Sequence, residues 1–263
     1  MRRTARLAAR VRARAESGTT PSAPVAPAAH HDLIIGMVDG VLLDWEGVLV
    51  DTGQSRREAM LRALADEGVH LAPREYDERC LGRSVREAAA SAVGEAGSDR
   101  TLVELVAMRA EREFSARLAH GFSLRPGAAR MMDLARLRAP IAIVTAASRT
   151  ETDVVLRLAD LHDSCAVLVT ADDVSDEAPS RAQYVKALAA LARRRRVRPS
   201  RIIALAATRS SILAARDAGV RTIAIGTPAH VALEADGAVA SLDGITVDEL
   251  AVVAGLPAEE RHA

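Results

Sequence analysis

Two carboxylates one residue apart carry the most chemistry per position in this chain. They are Asp44 and Glu46, in the stretch Val41-Leu-Leu-Asp-Trp-Glu-Gly47. Three apolar residues lead into Asp44 and a glycine follows, the pattern of a buried strand in a parallel sheet. The acids then fall at the strand's carboxyl end, where open α/β sheets place their ligands. Strand alternation puts positions 44 and 46 on one face, so both could address one ligand. The competing reading is two acids in a solvated loop after a strand, because motifs this short recur by chance.

The elements that must position these acids follow from the rhythm of the chain. From Gly53 to about His120 apolar residues recur at three- and four-residue spacing, in 55–67, 83–93 and 101–118, with Gly68, Gly82 and Gly97 as breaks. That texture predicts an all-helical insert lying over the site. From Leu124 onward helices and strands alternate: helix to Arg138, strand 140–144, helix 150–159, strand 166–169, helix 181–194, strand 202–205, helix 210–218 and strand 222–225. A weak strand near 237–241 and a helix at 247–253 close the series. This alternation predicts an α/β fold, a Rossmann-like doubly wound parallel sheet. The expected organisation is a core of 33–52 and 123–254, a helical cap of 53–122, an arm of 1–32 and a tail of 255–263. The run Arg193 to Arg196 is expected in a helix's last turn, where cations suit the dipole.

Composition narrows the function classes. A chain of 263 residues is long enough for one good core and a smaller insert. Basic and acidic residues balance at 35 each, so no overall field draws the protein to nucleic acid or membrane. Only 2% of residues are aromatic, which leaves no base-stacking surface and requires an aliphatic core. Lys186 is the single lysine among many arginines, a codon-bias signature of a GC-rich, bacterial-type genome. Cys80 and Cys165 lack metal-type spacing and read as buried thiols of a reducing compartment. No apolar run reaches the roughly 18 residues of a membrane span, and the N-terminus lacks a signal peptide's apolar segment. A cytoplasmic location is expected. The arm contains six arginines against Glu16, followed by a Pro/Ser/Thr/Ala-rich linker. It reads either as weak docking to an acidic protein or nucleic-acid backbone, or as a passive solvated extension.

Further motifs bring a resemblance. Leu43-Asp-Trp-Glu-Gly-Val-Leu-Val-Asp-Thr52 resembles the first motif of the haloacid dehalogenase-like superfamily. Ile141-Ala-Ile-Val-Thr145-Ala-Ala-Ser-Arg149 resembles the second, Thr170-Ala-Asp-Asp-Val174 the loop before the third, and Ile212 to Val220 the helix after the fourth. Leu124-Arg-Pro-Gly127 is similar to the re-entry into the core after a helical cap. Leu81-Gly-Arg-Ser84 is similar to a cap segment of the β-phosphoglucomutase and phosphoglycolate phosphatase-like branch. The resemblance spans about residues 33 to 254 in the right order, and implies a Rossmann-like core with an inserted helical cap.

The resemblance also implies roles. Asp44 attacks phosphorus to form an aspartyl-phosphate, the acid at position 46 protonates the leaving group and activates water, and Thr145 donates to a phosphoryl oxygen. Mg²⁺ offsets the repulsion between carboxylate and phosphate. Arg83, Arg149 and Arg181 are candidate contacts for the anion of a small phosphorylated metabolite.

Several positions depart from that pattern. Glu46 is one methylene longer than the usual aspartate, a shift on the order of 1 Å that can cost about a hundredfold in rate. The third-motif lysine position falls on Ala178, with Arg181 the nearest cation. The acidic pair of the fourth motif falls on Ala206 and Ala207, and its further position on Ser211. A Mg²⁺ site would then have only Asp44, the carbonyl of residue 46 and a loop acid such as Asp172 or Asp173. Arg209 would instead attract an anion there. The expectation is a phosphoryl-transfer site too degraded for efficient catalysis, in a protein that binds a ligand or partner. One alternative is a working phosphatase or phosphomutase with Asp44 as nucleophile. A lesser one is a metal-independent dehalogenase-type hydrolase in which Asp44 attacks carbon.

Overall fold

The structure, a computed structural model, describes residues 38–94, 100–118, 120–175 and 179–256. The basic arm, residues 257–263 of the tail and Ala178 lie outside the described residues. The chain begins with β1 (Gly40–Asp44) and β2 (Val50–Asp51). Four helices follow, α1 (Gly53–Asp66), α2 (Pro73–Arg79), α3 (Val85–Val93) and α4 (Arg100–Leu118). It continues through β3 (Ser123–Leu124), α5 (Ala128–Arg138), β4 (Ile141–Val144), α6 (Arg149–Leu158) and β5 (Val167–Val169). Then come α7 (Arg181–Ala192), β6 (Ile202–Ala206), α8 (Arg209–Asp217), β7 (Arg221–Ile225), α9 (Ala229–Ala232), β8 (Gly237–Val239) and α10 (Val247–Val253).

Six strands form one parallel sheet in the order β5-β4-β1-β6-β7-β8. The order reverses at β1, which is flanked by β4 and β6, so β1 ends at the topological switch point. Alternate residues of each strand serve opposite faces. Val41, Leu43, Ile141, Ile143, Ile203 and Leu205 pack with Met131, Met132 and Ala135 of α5 and Leu250 of α10. Leu42, Ala142, Val144 and Ala204 pack with Tyr184, Ala187 and Leu191 of α7 and Ala214 and Ala215 of α8. Burial on both faces is why these strands read as unbroken apolar runs.

The helices between β2 and β3 bury a separate core that includes Met60, Leu64, Tyr76, Ala89, Val103, Val106 and Ala110. Three details differ from the sequence expectation. The insert is rooted in a two-stranded antiparallel ribbon, β2 with β3, too short to leave a periodic signal. It contains α2, opened by Pro73 and capped by Glu75, whose carboxylate accepts from Ala72 N at 2.7 Å. Arg193 to Arg195 follow α7, which ends at Ala192, and lie exposed in the turn beyond it. Among the described residues, no helix is long and apolar enough to cross a membrane.

Candidate active site

Asp44 is the last residue of β1, level with Val144 of β4, so Thr145 follows beside it on the adjacent strand end. Gly47 turns the chain immediately after. It has φ +80°, and a Cβ there would stand 2.6 Å from Ala207 Cβ, so only glycine lets the β1 and β6 loops meet. The result brings Asp44, Glu46, Thr145, Thr208 and Ser211 to one cleft between the carboxyl ends of the strands and the cap. Arg56, Tyr76, Cys80 and Arg83 line its cap side. The space beside Asp44 is about 70 Å³, room for a phosphoryl group.

Asp44 is 7% exposed. Its Oδ1 accepts from the Trp45 amide at 2.8 Å. Burial raises its pKa from 3.8 to about 6; the Ser211 hydroxyl and the Trp45 amide oppose the rise, and the charge of Glu46 adds to it. Ser211 lies close enough to act electrostatically, yet Oδ2 closes no hydrogen bond among the described residues. The indole N–H of Trp45, 1% exposed, is likewise without a partner. Two unsatisfied buried polar atoms at one strand end are costly unless protonation or a ligand relieves them.

Thr145 is 2% exposed, and its main-chain carbonyl accepts from Gln183 Nε2 at 2.7 Å. Its Oγ1 accepts from the Ala147 amide at 3.0 Å, which leaves the hydroxyl proton for another acceptor. Ser211, also buried, takes a hydrogen bond from Thr208 Oγ1 at 2.9 Å.

Glu46 reaches the same cleft by a different route from strand alternation, since β1 stops at Asp44. Its carboxylate turns to the start of α1. Oε2 accepts from Thr52 Oγ1 at 2.6 Å, and Oε1 from the amides of Thr52 at 3.0 Å and Gly53 at 3.1 Å. Burial still raises its pKa, against the pull of Arg56 and Thr52. Glu46 therefore acts as an external cap on a helix whose own N-cap residue makes no side-chain cap bond.

The three candidate arginines separate. Arg83 lines the cleft and makes no ion pair among the described residues. Arg149 is committed elsewhere: it forms an ion pair with Asp173 and donates to the Leu168 carbonyl at 3.0 Å. Arg181 donates to the Asp217 carbonyl at 2.9 Å, at the carboxyl end of α8. Arg209, expected to draw an anion, instead pairs with Glu234 at 2.6 Å. Lys186 is exposed on α7 and donates to the Asp173 carbonyl at 2.7 Å.

Among the described residues, the side-chain donors around Asp44 are too few for a magnesium centre. Ala206 is fully buried and Ala207 packs on Gly47, so neither position supplies an oxygen from its side chain. Asp172 accepts from the Arg149 amide, and Asp173 is shared by Thr170, Arg149 and Lys186. Among the described residues, no group of three or more His, Cys, Asp or Glu is arranged to hold a metal.

One pair escaped the sequence altogether. Arg56 of α1 grips the carboxylate of Glu151 in α6, 95 positions away, with Nη1 to Oε2 at 3.0 Å and Nη2 on Oε1. The guanidinium also lies over the Phe114 ring, 4.8 Å from its centroid. Ser148-x-x-Glu151 has the spacing of a capping box. Ser148 does accept from the Glu151 amide at 3.4 Å, but the Glu151 carboxylate is spent on Arg56. Nothing local distinguishes Arg56 from its neighbour Arg57.

Known proteins share this fold. The chain is 31% identical to validoxylamine A 7'-phosphate phosphatase of Streptomyces hygroscopicus subsp. limoneus over 205 residues, 74% of this chain and 90% of that protein. Its fold matches CbbY from Rhodobacter sphaeroides in complex with phosphate, with a TM-score of 0.69 at 24% identity, covering 80% of this chain and 97% of the other. It also matches β-phosphoglucomutase from Clostridium difficile, with a TM-score of 0.72 at 15% identity over 83% and 97% of the two chains. The sequence profile of the haloacid dehalogenase-like hydrolases matches residues 41–225. With that span, that relative and a parallel sheet carrying Asp44 at its switch point, the chain belongs to the haloacid dehalogenase-like hydrolase family.

Proposed function

We propose that the protein binds a small phosphorylated metabolite in the cleft over Asp44, and that its phosphoryl transfer by the magnesium route is impaired. The phosphoryl group sits between Asp44 Oδ2 and the Thr145 hydroxyl, with Arg83 supplying positive charge from the cap. Attack by Oδ2 on phosphorus makes an aspartyl-phosphate, and the alkoxide leaves with a proton. Glu46 is the acid nearest the reaction, but its carboxylate must first release Thr52 and Gly53. The observation that carries the reading is the donor set at Asp44. Its Oδ2 is buried and free, while Ala206 and Ala207 offer no carboxylate to fix a cation beside it. Without that cation the repulsion between carboxylate and phosphate is poorly offset.

A second reading, a working phosphatase, is favoured by one observation: the relative at 31% identity is itself a validoxylamine A 7'-phosphate phosphatase. Hydrolysis of an aryl phosphate, with excess Mg²⁺ and with EDTA, separates the two, using Asp44→Asn as the contamination control. The proposal expects phosphate esters to bind in calorimetry with turnover no greater than the control. Mg²⁺-dependent turnover abolished by Asp44→Asn overturns it in favour of the phosphatase. Metal-free turnover that needs Asp44 overturns it too, as attack on phosphorus without a cation; the dehalogenase-type reading is tested instead by halide release from a haloacid.

A further inference from the structure

Among the described residues that line the chamber beside Asp44, two are cations, Arg83 and Arg56. Arg83 is exposed, so water and salt screen its charge. Arg56 is mostly enclosed, and a charge fixed in a drier place acts more strongly on what enters beside it. It already acts on Glu46 in the wall of the same chamber, opposing the rise in pKa that burial causes there.

The guanidinium of Arg56 is held before any ligand arrives. Glu151 accepts one N–H from each Nη, and the Phe114 ring covers one face, 4.8 Å away at its centroid. The backbone amide of Arg56 donates to the Thr52 carbonyl at 2.9 Å, and Thr52 is in turn bonded to Glu46. The grip of Glu151 uses two of the five N–H groups. Nε closes no hydrogen bond among the described residues. Arg56 borders the Asp44 chamber, and Glu151 does not. Stability is a poor account of such a pair, because apolar side chains often replace a buried ion pair at little cost. A cation steadied by a carboxylate outside the chamber, with donors left over, is arranged to receive an anion.

We infer that Arg56 is the preorganised anion-binding cation of this cleft, donating its unshared N–H groups to the phosphate held over Asp44 while Glu151 keeps the guanidinium in place. This rests on the phosphate-binding reading above and names the residue that offsets the ligand's charge where Ala206 and Ala207 fix no metal. Binding needs no release of Glu151, whose negative charge nevertheless weakens the pull of Arg56 on the anion.

The test is calorimetry of the full chain with inorganic phosphate in EDTA, on the parent, Arg56→Met, Glu151→Gln and the double variant. The two single variants are expected to move in opposite directions. Arg56→Met weakens phosphate binding by about tenfold or more, the scale of a hydrogen bond to a charged group. Glu151→Gln tightens it, because the whole charge of Arg56 then faces the anion. The double variant strands neither charge and binds as weakly as Arg56→Met. A pair that only holds the cap in place predicts instead that both single variants weaken binding and that the double variant recovers it. Either of those results overturns the inference while phosphate binding stands. Where a single variant is unfolded at the assay temperature, the double variant decides. A parent protein that binds no phosphate overturns the reading beneath, and this inference with it.

Discussion

Arg56 and Glu151 join the cap to the core through a bidentate ion pair in which Arg56 is 24% exposed and Glu151 6%. Burial opposes the charge on Arg56, and Glu151 more than offsets it, so the guanidinium stays charged. Removing one partner strands the other in a dry site. Glu151→Gln is expected to lower stability by about 3 kcal/mol. Arg56→Met is expected to cost as much, and the double variant less than the sum, because neither charge is then left alone. Chemical denaturation of the four proteins in a double-mutant cycle checks this. Additive losses would mean the pair contributes nothing in solution.

Asp44 makes stability depend on pH. Its pKa lies near 3.8 in the unfolded chain and about 6 in the folded one, so the folded state holds the proton more tightly. Stability is therefore highest below the lower value and is lost as pH rises from about 4 to about 6, by on the order of 3 kcal/mol. Asp44→Asn, which cannot ionise, is expected to melt higher than the parent at pH 8 and close to it at pH 4. Melting curves at the two pH values decide, and a variant equally displaced at both rules out ionisation of Asp44 as the cause.

Glu46 has a structural duty that a general acid would have to set aside. Its three hydrogen bonds hold Thr52 and Gly53 at the start of α1. Glu46→Ala is expected to destabilise the protein by about 1–2 kcal/mol, the range of a lost helix cap. Thr52→Val removes only the hydroxyl contact and should cost less, about 1 kcal/mol. Urea titration measures both. An unaffected Glu46→Ala would show the carboxylate to be free in solution.

Ala207 offers a way to restore a cation site. It already carries its Cβ against Gly47, so Ala207→Asp adds only a carboxyl group at the edge of the Asp44 chamber. Mg²⁺ titrated into this variant is expected to give a binding isotherm stronger than that of the parent, because two fixed carboxylates then face one ion. Equal isotherms would place the missing ligands elsewhere.

Much of this protein was legible in its sequence. Val41 to Leu43, Ile141 to Val144 and Ile202 to Leu205 are strands because apolar residues serve both faces of a covered sheet. Gly47 and Gly219 stop elements because their positive φ angles suit glycine. The order of these segments is enough to place Asp44 and Thr145 on adjacent strand ends, since parallel strands with helical crossovers allow few other arrangements. Counting back from Gly219 also put Ala206 and Ala207, which have no carboxylate, at the end of β6 beside the site.

Tertiary structure alone decided the charges. Which arginine faces the cleft, Arg83 rather than Arg149 or Arg181, depends on how the cap docks and on which carbonyls lie at the ends of β5 and α8. The Arg56–Glu151 pair joins segments 95 positions apart, and the turn of Glu46 toward Thr52, six positions on, depends on how the chain folds back after Gly47. Local periodicity sets which face of a helix is apolar, and that is what the sequence encodes directly. It does not set which of several similar charged side chains finds a partner across a packed interface, because only the assembled geometry determines which ones come within reach.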